Sequence, residues 1–382
     1  MEFPLVHWIE SGAKHSARWR SENGALPPKR IQAVDDTINA DAAYKLACEG
    51  CALLWRGDYH NARQLLQAIA RRIDGKSRKP KKSAVPPSSA LDALHRHRQL
   101  QAQRARVLGM LLIPFEHDYR IPLRRAPDVR QACSEAWGEP QDEQMQLCSL
   151  RELQGIVGAH EWRKNGVEIA ALGARIHPHY GVFSPIRGEY IELVANTPLP
   201  AAATELAIDV GTGTGILAAL LAHRGIKKVI ATDNNPRALA CARDNLERLG
   251  LHNRIDVVDC DLYPATRAGL IVCNPPWLPL KPSSALEQAV YDPDSRMLRG
   301  FLDGLAQHLA PGGEGWLILS DFAELLGLRR RDDLLAMIDA AQLKVAGRID
   351  TKPVHPKAAD ADDPLHAARV KEVTSLWRLV TK

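Results

Sequence analysis

ELAIDVGTGTGILAALLAHRGIKKVIATD, residues 205–233, holds two short apolar strands joined by a glycine-rich turn and one helix. LAIDV is too short and too apolar for a surface helix, and KVIATD has the same character; both read as strands. ILAALLAHRG reads as a helix between them. A strand, a helix and a second strand in this order imply parallel strands with a crossover, and hence a sheet covered on both faces. The glycines Gly211, Gly213 and Gly215 sit where the first strand turns into the helix, so the backbone can turn tightly and come close to a ligand. In such sheets ligands lie outside the carboxyl ends of the strands, where this loop falls. Its Gly-x-Gly-x-Gly spacing is not the Gly-x-Gly-x-x-Gly of a dinucleotide site, and it lacks the Lys-Ser/Thr ending of a phosphate loop.

Working toward the C-terminus, the alternation continues. PRALACARDNLERLG is a helix, IDVVDCD and AGLIVCN are strands, MLRGFLDGLAQHL is a helix and EGWLILSDF a strand. LRRRDDLLAMIDAAQ is a last long helix, and KVAGRI and TSLWRLV are two strands on either side of a polar loop, which suits an antiparallel closing strand. The expectation is an α/β domain with a seven-stranded sheet over residues 161–382. Ahead of the first strand, GVEIAALGARIHPHYGVF reads as a β-hairpin at about 166–183, and RGEYIELVAN as a short helix. Asp233 ends the second strand about 20 residues beyond the loop, where a carboxylate can accept both ribose hydroxyls. Asp261 ends the third strand, where it can reach an adenine amino group.

Asp209, the loop Gly211-Thr212-Gly213-Thr214-Gly215, Asp233 with Asn234, and Asp261 with Leu262 resemble, in this order, the class I S-adenosylmethionine-dependent methyltransferases with their Rossmann-like sheet. The resemblance covers residues 180–382 and implies S-adenosyl-L-methionine as cofactor. It implies that Gly211 and Gly213 pass under the methionine part, and that Asp209 stabilises the loop or the cofactor's ammonium group.

The fourth strand runs into Val272-Cys273-Asn274-Pro275-Pro276-Trp277. Two prolines fix their own φ and push the preceding residue out of the α region. The Asn274 side chain and the Pro275 carbonyl are thereby expected to stand as two rigid acceptors. An NH2 group on an amide or aromatic amine is a poor nucleophile because its lone pair is delocalised. Accepting both of its protons turns that lone pair toward the cofactor's methyl, and positioning does the rest. Trp277 offers a flat face on which a planar group can stack. Asn274, Pro275, Pro276 and Trp277 are the expected reaction centre.

The Asn-Pro-Pro-aromatic motif resembles that of enzymes methylating adenine N6, guanine N2 or glutamine N5. The run from Phe183-Ser184-Pro185-Ile186-Arg187-Gly188-Glu189 through NPPWLP to YDPDSRMLRGFL is most similar to the release-factor and ribosomal-protein glutamine methyltransferases. Trp277 stands where that group has tyrosine. The resemblance implies a glutamine amide of a translation-related protein as acceptor; an RNA or DNA base is the alternative, and a non-catalytic cofactor-binding scaffold the second.

Residues 1–160 carry no comparable motif and read as a mainly helical substrate-recognition domain. AAYKLACEGCALLWR and NARQLLQAIARR have apolar residues three and four apart, and residues 90–113 continue as a helix ending near Pro114. The Pro-, Ser- and Lys-rich linker at about 74–90 interrupts them. The net charge of the 382 residues is only +5, but residues 71–106 hold eleven Lys and Arg against Asp74 and Asp92, a local balance of +9. Such a stretch can hold nucleic acid phosphates or an acidic protein surface. Seven scattered cysteines point to a reducing compartment and so to the cytoplasm. No apolar run approaches the roughly 20 residues of a membrane span, and the first residues do not read as a signal peptide. Cys48 and Cys51 read as buried helix cysteines, and no metal site is expected.

Overall fold

The computed structural model describes residues 4–78, 87–140, 143–185, 188–282, 290–354 and 360–382. It divides into two compact units, Met1–Ser88 with His95–Glu161, and Ser89–Leu94 with Trp162–Lys382.

The first unit contains a six-stranded sheet that the helical reading did not anticipate. β1 (Leu5–Glu10) and β2 (Ala13–Trp19) form a hairpin. It turns on Ser11 and Gly12, both at positive φ, the conformation a two-residue hairpin needs. β3 (Arg30–Val34), α1 (Ala40–Cys48), β4 (Cys51–Trp55), α2 (Tyr59–Arg78), α3 (Ala90–Leu108) and β5 (Leu111–Phe115) follow. Then come α4 (Arg130–Trp137), β6 (Gln146–Ser149) and α5 (Leu150–Asn165). The strand order is β1-β2-β6-β5-β4-β3, with β3, β4 and β5 parallel.

Helices therefore occupy more residues than strands here, but a sheet organises the core. The stretch read as one helix from Ala42 to Arg56 is broken at Gly50, whose φ of +76° an ordinary residue rarely adopts. Cys48 consequently ends α1 in solvent while Cys51 opens β4 and is buried. CALLW and LLIPF misled because strands buried on both faces lose the period-two alternation and look like helix segments. Leu53, Leu54, Leu112 and Ile113 are all fully buried. In the basic stretch, Arg72 is paired with Asp41 at 2.7 Å and Arg104 with Asp74 at 3.0 Å. Residues 79–86 of the linker lie outside the described residues.

The second unit begins with the short antiparallel pair β7 (Val167–Ile169) and β8 (Ala174–Ile176), then α6 (Glu189–Asn196). Its sheet is built from β9 (Leu206–Val210), α7 (Ile216–His223), β10 (Lys228–Asp233), α8 (Pro236–Arg248), β11 (Ile255–Asp259) and β12 (Ala268–Cys273). It is completed by α9 (Arg296–His308), β13 (Leu309–Ser320), α10 (Phe322–Leu325), α11 (Arg331–Ala340), β14 (Leu343–Thr351), α12 (His366–Arg369) and β15 (Thr374–Thr381). The seven strands lie in the order β11-β10-β9-β12-β13-β15-β14. The first five are parallel, and β15 inserts antiparallel between β13 and β14. This is the Rossmann-like seven-stranded sheet expected from the sequence.

Its centre is dry. All six residues of β12 and Ile216–Ala222 of α7 are buried. At about 1.5–3 kcal/mol for each large apolar side chain, these strands anchor the loops that leave their carboxyl ends. Gly269 of β12 lies against the backbone carbonyl of Ala202 with no room for a Cβ. On α9, Gly300 and Gly304 form one face that receives Leu262 and Tyr263 from the loop after β11. That contact holds the loop bearing Asp261 against the helix that starts at Arg296.

Candidate active site

The order of the strands reverses between β9 and β12, and there the loops diverge to leave a crevice. A cavity of about 630 Å³ opens at this point. Its lining includes Gly211, Thr212, Gly213, Asp233, Asn234, Asp261, Leu262, Asn274, Pro275, Pro276 and Trp277. Residues 211 to 277 thus converge from the ends of four strands. Asp209 and Gly215, also singled out in the sequence, are not among the lining residues.

Asp209 serves the loop from beneath. Only 1% exposed, its Oδ2 accepts the Thr212 hydroxyl at 2.6 Å and the Ala218 amide at 3.0 Å. Burial pushes its carboxyl up to about 6, against the opposing effect of those two donors. The loop is further pinned by the amides of Gly211 and Thr212, which both donate to the Thr232 carbonyl at 2.9 Å. Gly211 has φ +72°, and a Cβ there would collide with the Met297 methyl. A Cβ on Gly213 would meet only the Gly211 carbonyl, at 4.0 Å, so the floor over this residue is open. Gly215 instead faces α8, where a Cβ would stand 3.3 Å from the Ala242 Cα.

Asp233 closes the side of the loop. One oxygen accepts the Gly213 amide at 3.1 Å and the other the Asn235 amide at 2.9 Å. Burial raises its pKa. A carboxylate has about four acceptor positions, and the Asn234 amide also contributes, so these bonds still leave capacity for a ligand hydroxyl. Asp261 is more exposed and is shared between Asn234, whose Nδ2 donates at 3.2 Å, and Arg296 at 2.8 Å. At the other end, Trp277 Nε1 donates to Asn274 Oδ1 at 3.0 Å.

Residues 173–328 match the family model of the methyltransferase small domain. This part of the chain is a class I methyltransferase domain. The match starts at β8, runs past α10 and encloses every residue of the site described above.

Among curated relatives of this methyltransferase domain, release factor glutamine methyltransferase of Cereibacter sphaeroides is 39% identical over 111 residues, 28% of this chain and 36% of that protein. Ribosomal protein L11 methyltransferase of Sorangium cellulosum is 34% identical over 129 residues, 34% of this chain and 33% of its own. tRNA1(Val) (adenine(37)-N6)-methyltransferase of Shewanella loihica is 29% identical over 185 residues, 46% of this chain and 72% of its own. The chain thus spans about a third of the length of the first two.

The methyltransferase cavity also has walls to which the sequence reading assigned no role. Phe183, Tyr190, Tyr291, Asp292, Arg296 and Met297 line it. Asp292 is buried and accepts the amides of Met297 at 3.0 Å and Leu298 at 3.2 Å, capping α9 from outside the helix. The available signal was the polar run Tyr291-Asp292-Pro293-Asp294-Ser295 directly before an apolar helix. Ile186 and Arg187, of the run Phe183–Glu189, lie outside the described residues. His177 and His179 have local tasks, bonding the Arg163 carbonyl at 2.6 Å and Asp244 at 3.0 Å.

Proposed function

We propose that this protein is an S-adenosylmethionine-dependent N-methyltransferase acting on a planar NH2 nitrogen, with a glutamine side-chain amide of a translation-related protein as acceptor. One observation carries the reading: Asn274, Pro275 and Trp277 line the same cavity as the glycine loop and Asp233. The donor set fits the cofactor. Asp233 keeps acceptor capacity for a ribose, Gly213 leaves an open floor, and Asp261 with Asn234 offers polar groups for an adenine edge. S-adenosylmethionine supplies an electrophilic methyl: the acceptor nitrogen's lone pair forms the new N–C bond, the C–S pair goes to sulfur, and a proton leaves the nitrogen to water.

The chain's own part is positioning. Asn274 Oδ1 and the Pro275 carbonyl accept the two N–H groups, which turns the nitrogen lone pair toward the cofactor. Pro275 and Pro276 keep both acceptors from drifting. Trp277 and Tyr291 flank the acceptor as flat walls.

The second reading, an adenine or guanine amino group in RNA or DNA, is favoured by the aromatic lining, since bases stack on such walls. The adenine-N6 tRNA enzyme is also the relative covered over the greatest share of its own length of those above. In either case the acceptor is a macromolecule, and the basic stretch 71–106 is proposed to help hold it. Transfer of labelled methyl into extract from cells lacking this gene, followed by protease or nuclease, decides between the two. Label lost to protease but surviving nuclease supports the glutamine reading; the reverse establishes the base.

A further inference from the structure

An indole N–H is a donor and never an acceptor. The Asn274 atom lying 3.0 Å from Trp277 Nε1 is therefore the carbonyl oxygen, whatever ambiguity an asparagine amide otherwise carries. Both residues line the cavity, three positions apart on a turn stiffened by Pro275 and Pro276. The geometry points to Trp277 as a positioning residue that acts through its N–H: it holds the Asn274 amide with oxygen, not NH2, presented to the acceptor nitrogen. This rests on the N-methyl transfer reading of the cavity.

The consequence is stoichiometric. A carbonyl oxygen has two acceptor positions. Trp277 takes one, leaving a single position on Asn274 for one acceptor N–H. The second N–H must then go to another acceptor, and the Pro275 carbonyl is next in the chain. The site is matched to an NH2 group and poorly matched to a nitrogen that needs two bonds from Asn274 alone. A flat wall alone would not produce this: a phenylalanine ring stacks equally well but leaves the amide free to turn.

The test replaces Trp277 with 3-benzothienylalanine, in which sulfur stands for the ring N–H while the shape and the stacking face are kept. Trp277→Phe serves as a second, simpler variant. The readout is the initial rate of labelled-methyl transfer into total protein and total RNA from cells lacking this gene, with S-adenosylmethionine saturating. Loss of one orienting hydrogen bond should slow transfer about fivefold, with cofactor affinity by calorimetry unchanged. An unaltered rate in the benzothienyl protein overturns the proposal and leaves Trp277 as a wall only. Independently of activity, the Trp277 indole N–H resonance, assigned by its loss in Trp277→Phe, should shift and exchange faster with water in Asn274→Ala. An unmoved resonance also overturns it. Wild-type protein that transfers label to neither fraction, with the resonance shifting as expected, fails the methyl-transfer reading while the hydrogen bond stands.

Discussion

Asn274, Asp209 and Gly211 do different work in and beneath one crevice, and their substitutions should separate accordingly. Asn274→Ala removes an acceptor of the reacting nitrogen but no contact of the glycine loop. Cofactor affinity by calorimetry should hold while methyl transfer falls by about 10²-fold or more, the range seen when one orienting group of a reaction centre is removed. Asp209 is ionised at a cost, since burial raises its pKa to about 6 from an ordinary 3.8. The folded protein therefore binds this proton more tightly than the unfolded chain. The stability linked to it is present below the unfolded pKa and is lost as pH rises through about 6. Asp209→Asn can still accept from Thr212 and Ala218, so the fall in thermal midpoint between pH 4 and 7 should be shallower in that variant. Gly211→Ala meets both a left-handed φ and the Met297 methyl. It should weaken cofactor binding, with a strain cost of about 1–2 kcal/mol. Of these roles, the glycines and carboxylates were legible in the sequence because residue type and spacing betray them. The direction of Asp209's bonds was not, because it depends on where α7 begins.

Elements position these residues through close approaches that glycine alone permits. β12 carries Asn274 at its end, and Gly269 lets it lie against the backbone of residues 201–204. Gly269→Ala forces that backbone apart and should cost more than about 3 kcal/mol by urea unfolding, in the upper tail for single substitutions. α9 begins irregularly, with Asp294 and Ser295 both at positive φ and its cap supplied by Asp292. Asp292→Ala should cost about 1 kcal/mol in the same measurement, as for other lost caps, and should weaken cofactor binding because Arg296 and Met297 ride on that turn. The strands and helices of the second unit were legible because short apolar runs, set off by glycine, proline and turn residues, alternate for the most part with longer helical ones. In the first unit the same logic failed: β4 and β5 are buried on both faces, and a five-residue apolar run has no period to read.

For the molecule as a whole, the two units divide the chain unevenly. Ser89–Leu94 belongs with the C-terminal unit, where Leu94 is buried among Leu278, Phe322, Leu326 and Leu365. Leu94→Ala should therefore destabilise by about 2–4 kcal/mol, and because Leu278 follows Trp277, transfer should fall with it. The basic stretch offers a second whole-molecule measurement. If residues 71–106 hold an acceptor's phosphates, acceptor affinity falls steeply as salt rises from 50 to 200 mM; a flat response assigns the stretch to solvated surface. The Arg104–Asp74 pair is already inside the balance of +9, and Asp41, which lies outside the stretch, offsets Arg72 as well, so the local excess is smaller than the composition suggests. By itself the sequence determined the seven-stranded sheet, the loop Gly211–Gly215, and Asn274-Pro275-Pro276-Trp277 after the fourth strand, because periodicity, glycine and proline act locally on the backbone. Only the tertiary structure decided that Trp277 donates to Asn274, that Asp292 caps α9, and that a six-stranded sheet underlies the first unit. Hydrogen-bond partners and the pairing of doubly buried strands depend on which distant segments meet, and no local pattern records that.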